Sequence, residues 1–282
     1  MESRIIGKID LDSESVKSEI DHLLTFRAEP SYASYSFGTW GIYLLWNGSG
    51  DVTDSTLHEF EGPAQITSFG RQLPYLFSII EKHFRTERMK YARAFLLRDG
   101  NVIPHRDYLE FKKPLTRIHL ALSTDEGSLH SEEDDVFQMR RGEVWYLAAT
   151  NIHAAVSLND FARVTICMEF ELDENESQDS VFRRSGPLFD TIYPKMISRE
   201  PLSAAELEAI YSLGNLVSEK NYKDILRLLS KVHFYKRANA GDVYDWLIEI
   251  ARRSRNPALL QKTIAAKRTC IECRQLNEDV AV

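Results

Sequence analysis

The chain has 282 residues, of which 43% are hydrophobic, 11% aromatic and 27% charged, with a net charge of −7. That composition belongs to a folded chain with one sizeable core and room for a smaller appended unit, and it excludes a disordered one. The acidic balance argues against nucleic-acid binding, and no apolar run approaches the roughly 18 residues that would span a membrane.

The start, Met1 to Gly7, has no basic-then-apolar leader, so the expected compartment is the cytoplasm. Residues 5–11 read as a short strand, followed by a helix that Asp12 or Ser13 caps, with Val16, Ile20, Leu23 and Leu24 on one face. A second strand over 37–46 ends in the turn Asn47-Gly48-Ser49-Gly50. It carries Trp40, which is either core or a wall of a pocket. Residues 68–86 have the spacing of an amphipathic helix through Leu73, Leu76, Ile79, Ile80 and Phe84.

Met89 to Leu97 is the next strand, with Tyr91 and Arg93 on a common face. Arg93 has two readings, a clamp for a substrate carboxylate or a surface pair with Glu87 or Asp99. Asp99-Gly100-Asn101 is a turn that delivers Ile103-Pro104-His105-Arg106-Asp107. In extended chain, residues two apart share a face, so His105 and Asp107 can reach one metal while Arg106 points away. His153, from a separate strand, supplies the third ligand. Two imidazoles and a carboxylate with open positions are what a non-haem Fe(II) site needs.

Tyr108 to Pro114 is a charged lip in which Glu110 is solvated. Leu115 to Leu122 is an apolar strand that places Arg117 and His119 on one face. Residues 123–135, polar and acidic, read as an exposed loop, and His130 within it is not a ligand. Gly142 then turns the chain into the strand Glu143 to Leu147.

Arg163 lies ten residues beyond His153 in an apolar strand, Ala162 to Met168. A guanidinium there needs an anion, and its planar fork suits a carboxylate. The far carboxylate of a metal-chelating 2-oxo acid would serve, and 2-oxoglutarate fits; an internal ion pair with Glu169 or Asp160 is the alternative. His119 is excluded from the ligand set because a fourth protein nitrogen would occupy a position that O2 and the oxo acid require. The order of strands suits a mainly β fold with α-helices, built on a double-stranded β-helix of the jelly-roll, cupin-like kind.

After Leu172 a polar run, 173–180, reads as linker. From Ser203 the pattern is helical, opening on the capping box Ser203-Ala204-Ala205-Glu206 and carrying the stripes Ile225, Leu228, Leu229, Val232 and Val243, Trp246, Leu247, Ile250. The expected division is a β-helix domain over 1–172, an irregular segment over 173–202, and a C-terminal helical domain over 203–282. Three roles are open to the helices: bracing the barrel, a homodimer contact, or closure over the site. Cys270-x-x-Cys273 lacks a second ligand pair, so neither a zinc site nor a disulfide framework is expected.

The stretches Gln72 to Leu76, Tyr91-Ala92-Arg93, Ile103 to Glu110, Arg117 to Leu120, Arg141 to Leu147, Asn221-Tyr222, His233-Phe234 and Tyr244 to Leu247 together resemble the iron(II)/2-oxoglutarate dioxygenases. Within them the likeness is to the aspartyl/asparaginyl β-hydroxylase-like branch and its bacterial L-proline cis-4-hydroxylases. The resemblance implies Fe(II), 2-oxoglutarate and O2 as the chemical complement, with Arg163 and His119 holding 2-oxoglutarate. It implies a small free amino acid as partner, bound by Arg93, Arg117, Trp40 and Tyr91. The implied reaction converts L-proline to cis-4-hydroxy-L-proline with release of succinate and CO2. Other free amino acids such as pipecolate, a peptide side chain, a zinc hydrolase and a cupin-like metal binder without oxygenase activity are the alternatives. A hydrolase has no use for a second anion clamp behind its metal.

Overall fold

The computed structural model describes residues 1–109, 115–184, 192–275, 278 and 280. Its strands and helices in order are β1 (Arg4–Lys8), α1 (Ser13–Leu23), β2 (Ser36–Asn47), β3 (Gln65–Ile66), α2 (Ser68–Arg71), α3 (Pro74–His83) and the long β4 (Met89–His105). Next come β5 (Thr116–Ser123), β6 (Ser128–Glu132), β7 (Asp135–Gln138), β8 (Glu143–Leu147), β9 (His153–Ser157) and β10 (Arg163–Phe170). Short strands β11 (Lys195–Met196) and β12 (Glu200–Pro201) precede α4 (Ala204–Ser212), α5 (Tyr222–Leu229), α6 (Val232–Tyr235), β13 (Lys236–Arg237), α7 (Asp242–Arg253) and α8 (Pro257–Lys267).

The strands form a curled antiparallel sheet in the order β1-β8-β5-β10-β4-β9-β6-β7-β11, the double-stranded β-helix expected from the sequence. Its pivot is β4. Residues 89–97 pair with β10, while 100–105 pair with β9, so one strand serves both layers. The predicted turn at Asp99-Gly100-Asn101 is instead continuous strand, kinked at Asp99 where φ is +44° and faced by a register shift in β2. Gly38 and Gly100 allow the two backbones to close there, since a Cβ on Gly100 would lie 2.0 Å from the Phe37 carbonyl oxygen.

The period-2 alternation of β4, β5 and β10 separates the two faces of this sheet. Ala92, Ala94, Ile118, Leu120, Val164, Ile166 and Met168 face outward and are covered by Val16, Ile20 and Leu23 of α1 and by Leu76, Ile79 and Ile80 of α3. The opposite set, including Arg93, His119 and Arg163, turns into the barrel. The helix expected over 68–86 is interrupted before Pro74, whose missing N–H and fixed φ suit the first turn of α3.

Residues 123–135 are not an exposed loop. All five residues of β6 are buried, because their polar atoms find partners inside. The Glu132 carboxylate accepts from the Glu2 and Ser3 N–H groups at 2.6 and 2.9 Å, and Ser131 Oγ meets His233 Nε2 at 2.9 Å. The C-terminal helices α5, α7 and α8 bury Ile225, Leu226, Leu229, Val243, Leu247 and Ile250 against Tyr35 and Ile103. Leu228, placed in the predicted stripe, is 66% exposed, and Leu226 takes its place. The Tyr244 hydroxyl donates to the Pro104 carbonyl at 2.6 Å, so this helical layer braces the strand that carries the first metal-ligand candidates. Among the described residues no helix is long and apolar enough to cross a membrane. The lip residues 110–114, Glu110 among them, and part of the irregular 173–202 segment lie outside the described residues.

Candidate active site

His105 ends β4 and His153 begins β9, and the two are register partners across the ladder. Asp107 lies two residues past the strand, held by its backbone N–H to the Ala149 carbonyl at 2.8 Å. The ligand atoms of His105, Asp107 and His153 all lie within 4.8 Å of one another. His105 Nδ1 meets the Ile103 carbonyl at 2.8 Å and His153 Nδ1 meets the Asn151 carbonyl at 3.0 Å. Bonds of this kind keep the proton on Nδ1 and leave the Nε2 lone pairs for a metal. Burial pushes the His105 imidazole down to about 3, so it is neutral at physiological pH. Burial opposes ionisation of Asp107, yet the Arg117 guanidinium and the two imidazoles hold its carboxyl well below the usual range. Two imidazole nitrogens and one carboxylate oxygen are a donor set that fits Fe(II).

Beside this cluster is a site for a second anion. Arg163 is 7% exposed, and burial lowers its pKa to about 10. Its guanidinium donates to the Leu129 carbonyl at 3.1 Å and to His130 Nδ1 at 3.4 Å. Neither Glu169 nor Asp160 pairs with it; Asp160 lies 3.6 Å from Arg98 instead. His119 is buried with both ring nitrogens lacking a hydrogen-bond partner, and burial with the charges of Arg117 and Arg163 keeps it neutral. A buried guanidinium without a carboxylate and an unpartnered imidazole fit the carboxylates of 2-oxoglutarate.

Arg93 is not a surface residue paired with Glu87 or Asp99. Its guanidinium donates to Glu169 Oε1 at 2.7 Å, and Arg117 donates to the same oxygen at 2.7 Å. Arg117 also pairs with Asp107. The Tyr108 hydroxyl donates to Glu169 Oε1 at 3.0 Å. Arg93 and Arg117 are thus matched by two carboxylates, Glu169 and Asp107. Trp40 is half-buried, 5.3 Å from Phe95, and lines the cavity. Tyr91 does not line it: the Tyr91 hydroxyl donates to the His58 carbonyl at 2.7 Å and accepts the His58 N–H at 2.9 Å, which turns it toward that loop. Tyr91 is therefore withdrawn from the substrate-contacting set.

Three lining residues were not assigned to the site from the sequence. His130 stands in the cavity wall against Arg163, with its ring 5.9 Å from that of His153. Tyr35 packs on His105 at 5.5 Å. Arg274, from the segment after α8, places Nη2 3.7 Å from Asp107 Oδ1. An alternation count from Arg163 would have put Glu169 on the inner face. Nothing local marks Tyr35 or Arg274. Cys270 is buried and Cys273 exposed, both free, and neither belongs to a metal-ligand cluster among the described residues.

Residues 10–172 match the family model for aspartyl/asparaginyl beta-hydroxylase, and residues 178–278 match the model for the C-terminal part of L-proline 3-hydroxylase. The chain is 32% identical to L-proline cis-3-hydroxylase 1 of Streptomyces sp, over 99% of this chain and 98% of that one. It is 30% identical to the L-proline cis-4-hydroxylase of Rhizobium meliloti (strain 1021), over 99% of both chains. A solved 2OG-Fe(II) oxygenase from Burkholderia pseudomallei aligns with a TM-score of 0.37 at 14% identity, covering 60% of this chain and 82% of that one.

Proposed function

This chain belongs to the aspartyl/asparaginyl beta-hydroxylase family and is a 2-oxoglutarate-dependent dioxygenase using Fe(II) and O2, and from that premise we propose that it hydroxylates free L-proline. The observation that carries the substrate class is a cavity that sets buried arginines beside aromatic side chains. Arg93 and Arg117 share Glu169, and Phe95 lies between the Arg93 guanidinium, 5.1 Å from its ring centre, and Trp40, at 5.3 Å. A zwitterion with a compact apolar ring meets a cation for its carboxylate and a ring surface for its carbons.

When bound, Fe(II) with 2-oxoglutarate and O2 supplies the oxidising power to hydroxylate an unactivated carbon, releasing succinate and CO2. His105, Asp107 and His153 would hold the metal. Arg163 and the neutral His119 orient the oxo acid, and the buried surroundings exclude water from it. The Arg93 and Arg117 side orients the amino acid, and placement alone selects the carbon. The sequence resemblance favours C4 on the cis face. The relatives at 32% and 30% identity carry the 3- and the 4-hydroxylase names, so product analysis decides between the two carbons.

The test begins under anaerobic conditions with Fe(II) and 2-oxoglutarate, following the weak visible charge-transfer band. O2 is then admitted with a panel of free amino acids while succinate and hydroxylated product are measured. Proline-dependent succinate with stoichiometric hydroxyproline supports the reading. Succinate formed equally with and without proline refutes the substrate.

A further inference from the structure

One residue of an otherwise uncovered loop stands in the active-site cavity. Residues 51–64 form neither helix nor strand, and Leu57, at 7% exposure, is the single buried residue among them. It lines the cavity together with Trp40, Arg93 and Arg117. It also belongs to the apolar cluster of Tyr91, Tyr108 and Leu147, so it packs on the side of the barrel from which the chain leaves Asp107. The segment has no helical or strand period that would turn Leu57 inward. What holds it there is a set of hydrogen bonds to the loop backbone.

Three of the anchors come from buried side chains of the sheet. Asn47, at the end of β2, donates to the Asp51 and Asp54 carbonyls at 2.7 and 2.9 Å. Lys90 of β4 donates to the Phe60 and Gly62 carbonyls at 2.9 and 2.8 Å. Between them the Tyr91 hydroxyl takes both backbone groups of His58, the residue next to Leu57. The Leu57 N–H itself donates to the Tyr32 hydroxyl at 3.3 Å. Ser31 Oγ donates to Ser55 Oγ at 2.7 Å, and Trp40 Nε1 donates to the Ser31 carbonyl at 3.4 Å, so the loop is also tied to the aromatic lining. Fixing this much irregular backbone costs conformational entropy. The polar anchors on both sides of residue 57 offset that cost and hold one apolar side chain at a set depth in the cavity.

We propose that Leu57 limits the size of the amino acid that the cavity admits, and that Tyr91 positions it through His58. This rests on the reading above that the substrate is a free amino acid. An isobutyl group has no charge or hydrogen bond with which to discriminate, so what it decides is volume. It fills space that a larger ring needs, and one methylene in an apolar pocket is worth about 10- to 200-fold in kcat/KM. A retreat of Leu57 to admit that ring would break the bonds at His58 and at Tyr32. Tyr91 thus acts on the choice of substrate without lining the cavity.

The experiment compares the wild-type protein with Leu57→Ala, Tyr91→Phe and the double variant. Each is loaded with Mn(II) and 2-oxoglutarate and titrated by calorimetry with L-proline and with L-pipecolate, its six-membered-ring homologue. The same proteins are assayed with Fe(II) for kcat and KM. Wild type should favour proline. Leu57→Ala should raise the ratio of pipecolate to proline affinity by about 10-fold or more, with 2-oxoglutarate affinity intact. Tyr91→Phe keeps the ring and loses both bonds to His58, so it should raise the ratio in the same direction by less. The double variant should add little to Leu57→Ala, since the two changes act through one side chain. If Leu57→Ala does not fold, Leu57→Val takes its place, with a smaller shift expected in the same direction. A ratio that does not move, or equal weakening of both acids, overturns the proposal and leaves the hydroxylase reading standing. Wild type that binds pipecolate as well as proline also overturns the size limit alone. Wild type that binds neither overturns both together.

Discussion

Replacing Arg163 with methionine separates a ligand-binding arginine from a structural one, because the two roles predict opposite effects on stability. Burial lowers its pKa to about 10. At about 1.4 kcal/mol per pKa unit, the charge costs the folded protein roughly 3 kcal/mol. The bonds to the Leu129 carbonyl at 3.1 Å and to His130 at 3.4 Å do not include a carboxylate to offset this. Arg163→Met removes the cost and leaves the Leu129 carbonyl unsatisfied, a penalty of about 1 kcal/mol, so the cofactor-free variant should be at least as stable as wild type. Affinity for 2-oxoglutarate should fall by about 100-fold, the equivalent of a two-point charge-assisted contact near 3 kcal/mol. Urea unfolding of the metal-free protein gives the first number, and calorimetric titration of 2-oxoglutarate into the Mn(II)-loaded protein gives the second. A variant that loses 2 kcal/mol or more of stability, by that order-of-magnitude scale, while binding 2-oxoglutarate normally would show that Arg163 is a structural residue.

Glu169→Gln should destabilise the fold by about 3–5 kcal/mol, since it leaves the buried Arg93 and Arg117 guanidinium groups without their shared carboxylate; a shift in denaturant midpoint worth less than about 1 kcal/mol would contradict the network. Trp40→Ala should raise the KM for the amino acid about 10-fold with 2-oxoglutarate affinity unchanged, as expected when one apolar wall is removed. Parallel loss of both affinities would mean that Trp40 supports the barrel instead. His233, pushed down to about 3 by burial and by Arg199, is neutral when folded and protonated when unfolded below about 6.5. The unfolded state therefore binds the extra proton between those values, and stability falls as pH falls through that window by about 1.4 kcal/mol per pH unit. His233→Gln, which can still meet Ser131, should flatten the stability profile between pH 6.5 and pH 4.5 by that slope, and an unchanged profile would refute the assignment.

What could be read from the chain depended on whether the signal was local. Strands β4, β5 and β10 were legible because alternation is a period-2 property, and the same alternation puts Arg93, His119 and Arg163 on the inner face once the outer face is known to be apolar. The His105, Asp107 and His153 set was legible as spacing, but their convergence depends on β4 passing through Asp99 without turning, where local chemistry signals a turn. His130 was misplaced for a physical reason. Polarity reads as exposure when the partner of each polar atom is distant, and Glu132 is satisfied by residues 2, 3 and 151 while Ser131 meets His233. Arg274 is the extreme case, since it lies against Asp107 from 167 positions away and sits in a segment whose own pattern is that of a polar tail. The inner wall is tied by Glu169 to three other side chains and cannot change without destabilising the core.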